Sequence, residues 1–398
     1  MNITDYVVQY RNKTFKDMPL SEVDGMVFAQ MAYYNFSELK KPFKLINLND
    51  QEIELATRTR NLYEQDPLLL KAIAYSKRFQ NIKIVEQYSD FDIDIVMQFS
   101  VTAFELSKGY YVVAFRGTDG TAIGWKEDLE MTYMFPVPAQ DRAEKFLRAF
   151  LKQRSVKKVI VVGHSKGGNL AAYASAKMEK DIQDKIEVVY NYDGPGFFDY
   201  FYTYPTYKEI KDRIFKFIPP QSCVGRLLHN DKDTKYRIVN SDRSFLMQHW
   251  AHSWIINQDG TFDFVSDLQE FSENMNTTSD DLLVTYTATE RRELIDLLFK
   301  TINNANVAYM DDLYLRKEDA KAFYDEFRKL PKDDRTKLLN FITTFLKYTS
   351  MNYILDKGSE WWNIIKDTVS NVLNKVDKTV FVELKSSRDK KPDKDNNK

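Results

Sequence analysis

Apolar and polar positions along the chain fall into three regimes. Over the first eighty residues the apolar positions recur at helical spacing. Val23, Met26, Val27, Met31 and Tyr34 form one stripe behind Ser21 as N-cap, with Gln30 as a polar interruption. Pro67 opens a second helix bearing Leu68, Leu69, Ala72, Ile73 and Tyr75. The runs then shorten to β type, and Ile82–Gln87, Ile93–Phe104 and Tyr110–Phe115 read as successive strands. From residue 121 the chain alternates: helix Ala139–Gln153, strand Lys157–Val162, helix Ser165–Lys180, strand Ile186–Tyr192. Further short strands follow at Ile214–Ile218 and Tyr236–Val239. Such alternation predicts an α/β fold, a mostly parallel sheet with helices on both faces. The unbroken apolar run Val159–Val162 suits a strand covered on both sides.

After about residue 270 the strand signal ends. Thr287–Asn303, Arg316–Leu330 and Asp333–Tyr348 are helical in period, and Pro331 separates the last two. Glu360–Val376 carries Trp361, Trp362, Ile364 and Ile365. It reads as a helix packed on the body, with a lipid or acyl-chain contact as the alternative. Lys385–Lys398 holds six basic and three acidic residues and reads as a disordered tail. The expected organisation is a helical lead-in packed on the core (1–80), an α/β core (81–270), a C-terminal helical part (271–380) and a tail (381–398).

Composition narrows the function classes. Among 398 residues, 57 Lys and Arg meet 58 Asp and Glu, a net charge of −1, so no global field steers nucleic acid or anionic membrane to this chain. Cys223 is the single cysteine, which excludes an intramolecular disulfide and a zinc site built on several thiolates. The amino terminus lacks the basic and apolar pattern of a secretory leader, and no run approaches the ~20 apolar residues of a membrane span. We expect a cytoplasmic protein with no transmembrane segment and no nucleic-acid partner.

The chemistry concentrates in Gly163-His164-Ser165-Lys166-Gly167-Gly168, a G-x-S-x-G between an expected strand and an expected helix. A nucleophile on so tight a turn needs neighbours without bulk, which Gly163 and Gly167 supply. An ordinary Gly-rich βα turn is the competing reading. A serine hydroxyl needs a base, usually a histidine oriented by a carboxylate. Of four histidines, His164 has no route back to the Ser165 hydroxyl, and His229 precedes the strand Tyr236–Val239. His249 lies in the loop after that strand. His252 sits nearer an apparent strand, Trp254–Asn257, and remains open as the base. A structural histidine beside Trp250 or Trp254 is the third possibility. Asp193 ends the strand after the elbow helix and reads as the acid or as an Asx-turn residue.

The elbow resembles that of a bacterial Mbeg-like serine-hydrolase family, of the α/β-hydrolase superfamily and related to the fungal class 3 lipases. Val112-Val113-Ala114-Phe115-Arg116-Gly117-Thr118, followed by Trp125 and Asp128-Leu129, is similar to a block of those lipases. Tyr192-Asp193-Gly194-Pro195-Gly196-Phe197 is closer to the bacterial family. The resemblance covers roughly residues 20–265. It implies an α/β-hydrolase fold and a Gln-His pair, matched by Gln248-His249, although Trp250 stands where an Asp usually follows. The fungal acid falls in a segment similar to Pro220–Gly225, at Ser222 here, so the acid is expected to have moved to Asp193. The backbone N–H of Lys166 by fold geometry, and Thr118 through its N–H and hydroxyl by resemblance, are the expected oxyanion donors.

Lys166 opposes the helix dipole, and a carboxylate such as Asp128 is expected to compensate it. The implied activity is acyl-ester hydrolysis through Ser165, His249 and Asp193, on a small-molecule or lipid substrate, with no metal or other cofactor. The alternative is an inactive interaction or regulatory protein on a hydrolase scaffold. The C-terminal helices are expected to dock on the body and wall the pocket.

Overall fold

The structure is a computed structural model. It describes residues 1–348 apart from 59–63, 154, 232, 234–235, 271, 273–279 and 281. The Glu360–Val376 helix and the tail expected from the sequence lie outside the described residues.

The lead-in supplies α1 (Ile3–Gln9), α2 (Glu22–Met31), the short β1 (Phe43–Lys44), α3 (Asp50–Thr57) and α4 (Asp66–Tyr75). Ser21 caps α2 as expected, in a capping box completed by Asp24. Three antiparallel strands follow: β2 (Lys83–Asp92), β3 (Met97–Ser107) and β4 (Tyr110–Phe115). Then come α5 (Ala122–Glu130), α6 (Pro138–Lys152), β5 (Lys158–His164), α7 (Lys166–Ala176), α8 (Lys180–Gln183) and β6 (Ile186–Tyr192). After α9 (Pro205–Ile210) the sheet finishes with β7 (Ile214–Ile218), β8 (Tyr236–Val239) and β9 (Phe264–Val265).

Among the described residues the strands run in simple order from β1 to β9. The parallel part is the centre, β4 through β8, and the flanking pairs are antiparallel. The flank is antiparallel for a local reason: Ser107 and Tyr110 are joined by a turn through Gly109, too short for a crossover. The expected single helix from Ser165 to Lys180 is broken into α7 and α8. Trp254–Asn257 is not a ladder strand; it makes isolated bridges, Ser241 with Trp254 and Ile256 with Phe262.

Alternation along the central strands fills two cores. Val112, Ala114, Ile160 and Val162 face α1–α4, while Val113, Phe115, Val159 and Val161 face α6 and α7. Gln30, the polar break in the α2 stripe, is buried and donates through Nε2 to Asp66 Oδ1 at 2.9 Å. Beyond the sheet, α10 (Ala288–Asn304), α11 (Asp312–Leu315), α12 (Lys317–Lys329) and α13 (Lys332–Tyr348) form a helical group. Leu294, Ile295, Phe299 and Ile302 of α10 share a core with Ala122 and Leu129 of α5. No helix among the described residues is long and apolar enough to cross a membrane.

The lead-in is pinned by a fully buried ion pair. Arg78 donates through Nε to Asp24 Oδ1 at 2.7 Å and through Nη2 to Oδ2, and the Tyr6 hydroxyl also donates to Asp24. Removing one partner strands a buried charge, a loss of about 3–5 kcal/mol. Asp24→Ala should therefore lower urea-unfolding stability by at least about 3 kcal/mol; an unchanged midpoint contradicts this packing.

Candidate active site

The site begins at the end of β5. Ser165 stands between β5 and α7 with φ 59° and ψ −135°, a left-handed conformation that costs a non-glycine residue about 1–3 kcal/mol. Its neighbours show why the turn can form. A Cβ on Gly163 would lie 2.0 Å from the Gly167 carbonyl oxygen, and one on Gly167 would lie 2.2 Å from Phe115 O. No larger side chain fits at either place. Within a buried run, Ser165 alone is partly exposed. Its N–H donates to Tyr192 O at 2.9 Å, which draws the end of β6 alongside.

Asp193 is the next residue after β6. It is fully buried, with φ 51°, and its carboxylate is held on three sides. Ser222 Oγ donates to Oδ1 at 2.5 Å and the Gly225 N–H donates to the same oxygen at 3.2 Å. Oδ2 accepts from His249 Nδ1 at 2.7 Å. Fixing the Nδ1 proton on Asp193 leaves His249 Nε2 as the basic nitrogen. Ser222 thus helps to fix the Asp193 carboxylate that faces His249.

His249 ends a 3₁₀ turn, Phe245–His249, that is tied to the Ser222 loop. Gln248 Oε1 accepts from Gln221 N at 2.9 Å, and Gln221 Oε1 accepts from Phe245 N at 2.7 Å. The backbone of His249 is held by its neighbour in the elbow motif. His164 Nε2 donates to His249 O at 2.7 Å, so the Nδ1 of a neutral ring must accept, and it does so from the Tyr33 hydroxyl at 3.1 Å. Burial, and then the adjacent His249, push His164 down to about 3, which keeps it in this neutral tautomer. Among the described residues no hydrogen bond joins the Ser165 hydroxyl to His249. Such links are often long without substrate and tighten when it binds.

His252 sits elsewhere. It is buried, with Nε2 3.0 Å from Asp66 Oδ1, in the cluster that also holds Gln30 and Tyr34.

The loop after β4 faces the serine. A Cβ on Gly117 would lie 3.0 Å from Ser165 Cβ, so glycine lets this strand end approach Ser165. Thr118 follows, and its hydroxyl donates to Asp128 Oδ2 at 2.5 Å. That hydroxyl is engaged, so the donor Thr118 can offer an oxyanion is its N–H. The Lys166 N–H opens α7, in the first turn, where backbone donors lack intrahelical acceptors. The Lys166 ammonium runs back into the core to Glu127 Oε2 at 2.8 Å and Gln98 O at 3.2 Å. Asp128 is a more distant partner at 3.7 Å, so the compensating carboxylate is chiefly Glu127. Burial alone would lower the Lys166 pKa, but Glu127 and then Asp128 raise it above its ordinary value. Two adjacent carboxylates of α5 therefore hold the two expected oxyanion residues.

Comparison with known proteins bears on this architecture. The Mbeg1-like family model matches residues 73–300, more than half of the chain. The chain belongs to the Mbeg1-like family. Among solved structures it is similar to a mutant form of MDLA from Penicillium cyclopium, at 15% identity and TM-score 0.39, over 66% of this chain and 91% of that one. It is also similar to Rhizomucor miehei lipase in its propeptide complex, at 15% identity and TM-score 0.33, over 55% of this chain and 68% of that one. No curated protein sequence matches.

Three supports of this site in the Mbeg1-like chain stand outside its sequence motifs. Tyr33 lies past the end of α2, where nothing in the pattern marks it. Glu127 hides beside Asp128. Lys216, a lone cation within the apolar strand β7, was the one available signal. It is buried, and its Nζ donates to Gly225 O at 2.8 Å and Asn230 Oδ1 at 2.6 Å. Burial pushes its pKa down to about 7 against the pull of Asp193. By fixing Gly225, it steadies an N–H that reaches the Asp193 carboxylate. Among the described residues no three His, Cys, Asp or Glu side chains group as metal ligands.

Asp128 yields a pH test. Burial raises its carboxyl from 3.8 to about 6, against Lys166 and the Thr118 hydroxyl. The folded state thus holds this proton more tightly than the unfolded chain. Its contribution is fullest below about 4 and is lost as pH rises through about 6. In Asp128→Asn that loss disappears. The variant's Tm minus the wild-type Tm should therefore increase from pH 4 to 6, by about 2–4 °C after screening, and then level off. A difference that is flat, or that grows toward acid, contradicts the assignment.

Proposed function

We propose that this Mbeg1-like protein is a serine hydrolase that cleaves acyl esters through an acyl-enzyme. The observation that carries the reading is the 2.7 Å contact from His249 Nδ1 to a buried, triply held Asp193 carboxylate, beside a serine on a strained strand–helix turn. In this reading Ser165 Oγ attacks the substrate carbonyl and its proton passes to His249 Nε2. The oxygen, now negative, is met by the N–H groups of Lys166 and Thr118. Collapse breaks the ester C–O bond, and His249 returns the proton to the departing alkoxide, releasing the alcohol. Water then attacks the acyl-enzyme by the same route, giving the carboxylic acid and restoring Ser165. Asp193 keeps its charge throughout and stabilises the imidazolium. Small-molecule and lipid acyl esters both fit this chemistry, and every step uses protein groups and water.

A fluorophosphonate probe tests the nucleophile, since the serine displaces fluoride only when activated. Wild-type protein should label and Ser165→Ala should not. Ser165→Ala, His249→Ala and Asp193→Asn should each reduce turnover of p-nitrophenyl butyrate at least about a hundredfold, with folding preserved by circular dichroism. Full activity in His249→Ala, or in Asp193→Asn, would remove that residue from the mechanism. Wild-type protein that neither labels nor turns over supports instead an interaction protein on a hydrolase scaffold.

A further inference from the structure

Among the described residues, the segment after α10 meets the loop that follows Thr118. Met310 N donates to Gly120 O at 3.0 Å and Ala122 N donates to Ala308 O at 2.9 Å, which makes a short antiparallel bridge between Thr121 and Tyr309. The bridge begins two residues after Thr118. It continues into side-chain packing on α5, where Ala122 is buried with Ile295, Phe299 and Ile302 of α10. Lys126 Nζ lies 2.7 Å from Asp296 Oδ1, and Arg291 Nε donates to Thr132 O at 3.0 Å.

The same helix holds both expected oxyanion residues from its other side, Lys166 through Glu127 and Thr118 through Asp128. The loop between is stiffened by Asp119, whose Oδ1 accepts from the N–H and hydroxyl of Thr121. On its inner side α5 is tied to the core by Glu127, which accepts from Gln98 N at 3.1 Å and Ala139 N at 2.8 Å. Its outward side chain Trp125 is 42% exposed. The position of the Thr118 N–H is therefore tied to α5, and α5 is anchored in part by α10 and the Ala308–Met310 segment.

We propose that the C-terminal helices are a positioning element for the oxyanion hole, so that anything loosening them lowers turnover without weakening substrate binding. This rests on the hydrolase reading above. It gives the enzyme a control surface away from the serine: a partner or a truncation acting on α10 sets how well the tetrahedral intermediate is held. The effect falls on kcat because the donors are needed only once charge develops on the oxygen.

Two substitutions each delete one hydrogen bond of the bridge. Ala122 is the first residue of α5, a position that accepts proline, and Thr121 before it is already extended at φ −64°, ψ 152°. Ala122→Pro removes the N–H given to Ala308, and Met310→Pro removes the one given to Gly120. In the full chain each should lower kcat for p-nitrophenyl butyrate by about tenfold or more, with KM within about twofold, and slow Ser165 phosphonylation in parallel. Folded variants that keep wild-type kcat, or that lose activity through KM alone, overturn the coupling.

If neither variant folds, wild-type protein decides. Coupling is reciprocal, so filling the oxyanion hole with a phosphonate on Ser165 must slow hydrogen exchange at the Ala122 and Met310 amides. Unchanged exchange there overturns the proposal. Wild-type protein that is not labelled at Ser165 overturns the hydrolase reading, and the coupling with it. Labelled wild-type protein with indifferent variants sinks the coupling alone.

Discussion

The close approach of Gly163 to Gly167 is the constraint on which the rest of the site depends. It lets β5 reverse into α7 within one residue, and so leaves Ser165 at φ 59°. A turn this tight is strained and persists only because the surroundings over-determine it. The ends of β4 and β6 supply that support: Phe115 O packs on Gly167, and Tyr192 O accepts the Ser165 N–H. In a parallel sheet the neighbouring strands end on the same side. The residues that follow them, Gly117-Thr118 and Asp193, therefore converge on the serine. The site is a consequence of strand order before it is a matter of side chains.

A second tier fixes the groups around the elbow, and much of it is unusually buried. Asp193 has its carboxylate shared among Ser222, Gly225 and His249, while Lys216 steadies Gly225 from behind. Lys166 sends its ammonium inward to Glu127. His164 takes no part as a base but holds the carbonyl of His249. These contacts hold the Asp193 carboxylate against the imidazole of His249. Each buried ionic group here has a specific partner, as burial of charge requires.

Much of the fold was legible in the sequence because its central strands are short, largely apolar and bounded by turn residues. Tyr110–Phe115, Ile186–Tyr192, Ile214–Ile218 and Tyr236–Val239 were each read with the limits the structure gives. The antiparallel flank was harder. The run from Ile93 to Phe104 looked continuous, yet Ile93–Val96 belongs to the turn, where Val96 takes φ 53°. The elbow was legible for a local reason, since its glycines are demanded by a turn of a few residues. The supports Tyr33 and Glu127 were not, because each meets its partner across a long stretch of sequence that no periodicity encodes, and Lys216 showed only as a cation within an apolar run. Gln30 shows the same limit. Its polarity broke a stripe, and only the tertiary contact with Asp66 explains it.

The most direct test of the account is a crystal structure of the full chain after reaction with a fluorophosphonate. The phosphonyl group stands in for the tetrahedral intermediate, with its P=O oxygen where the oxyanion forms. The account predicts phosphorus bonded to Ser165 Oγ and that oxygen within hydrogen-bond reach, about 2.7–3.1 Å, of the Lys166 and Thr118 nitrogens. It also predicts His249 Nδ1 still paired with Asp193 Oδ2. An adduct on another residue, or a phosphonyl oxygen turned away from both amides, would contradict it.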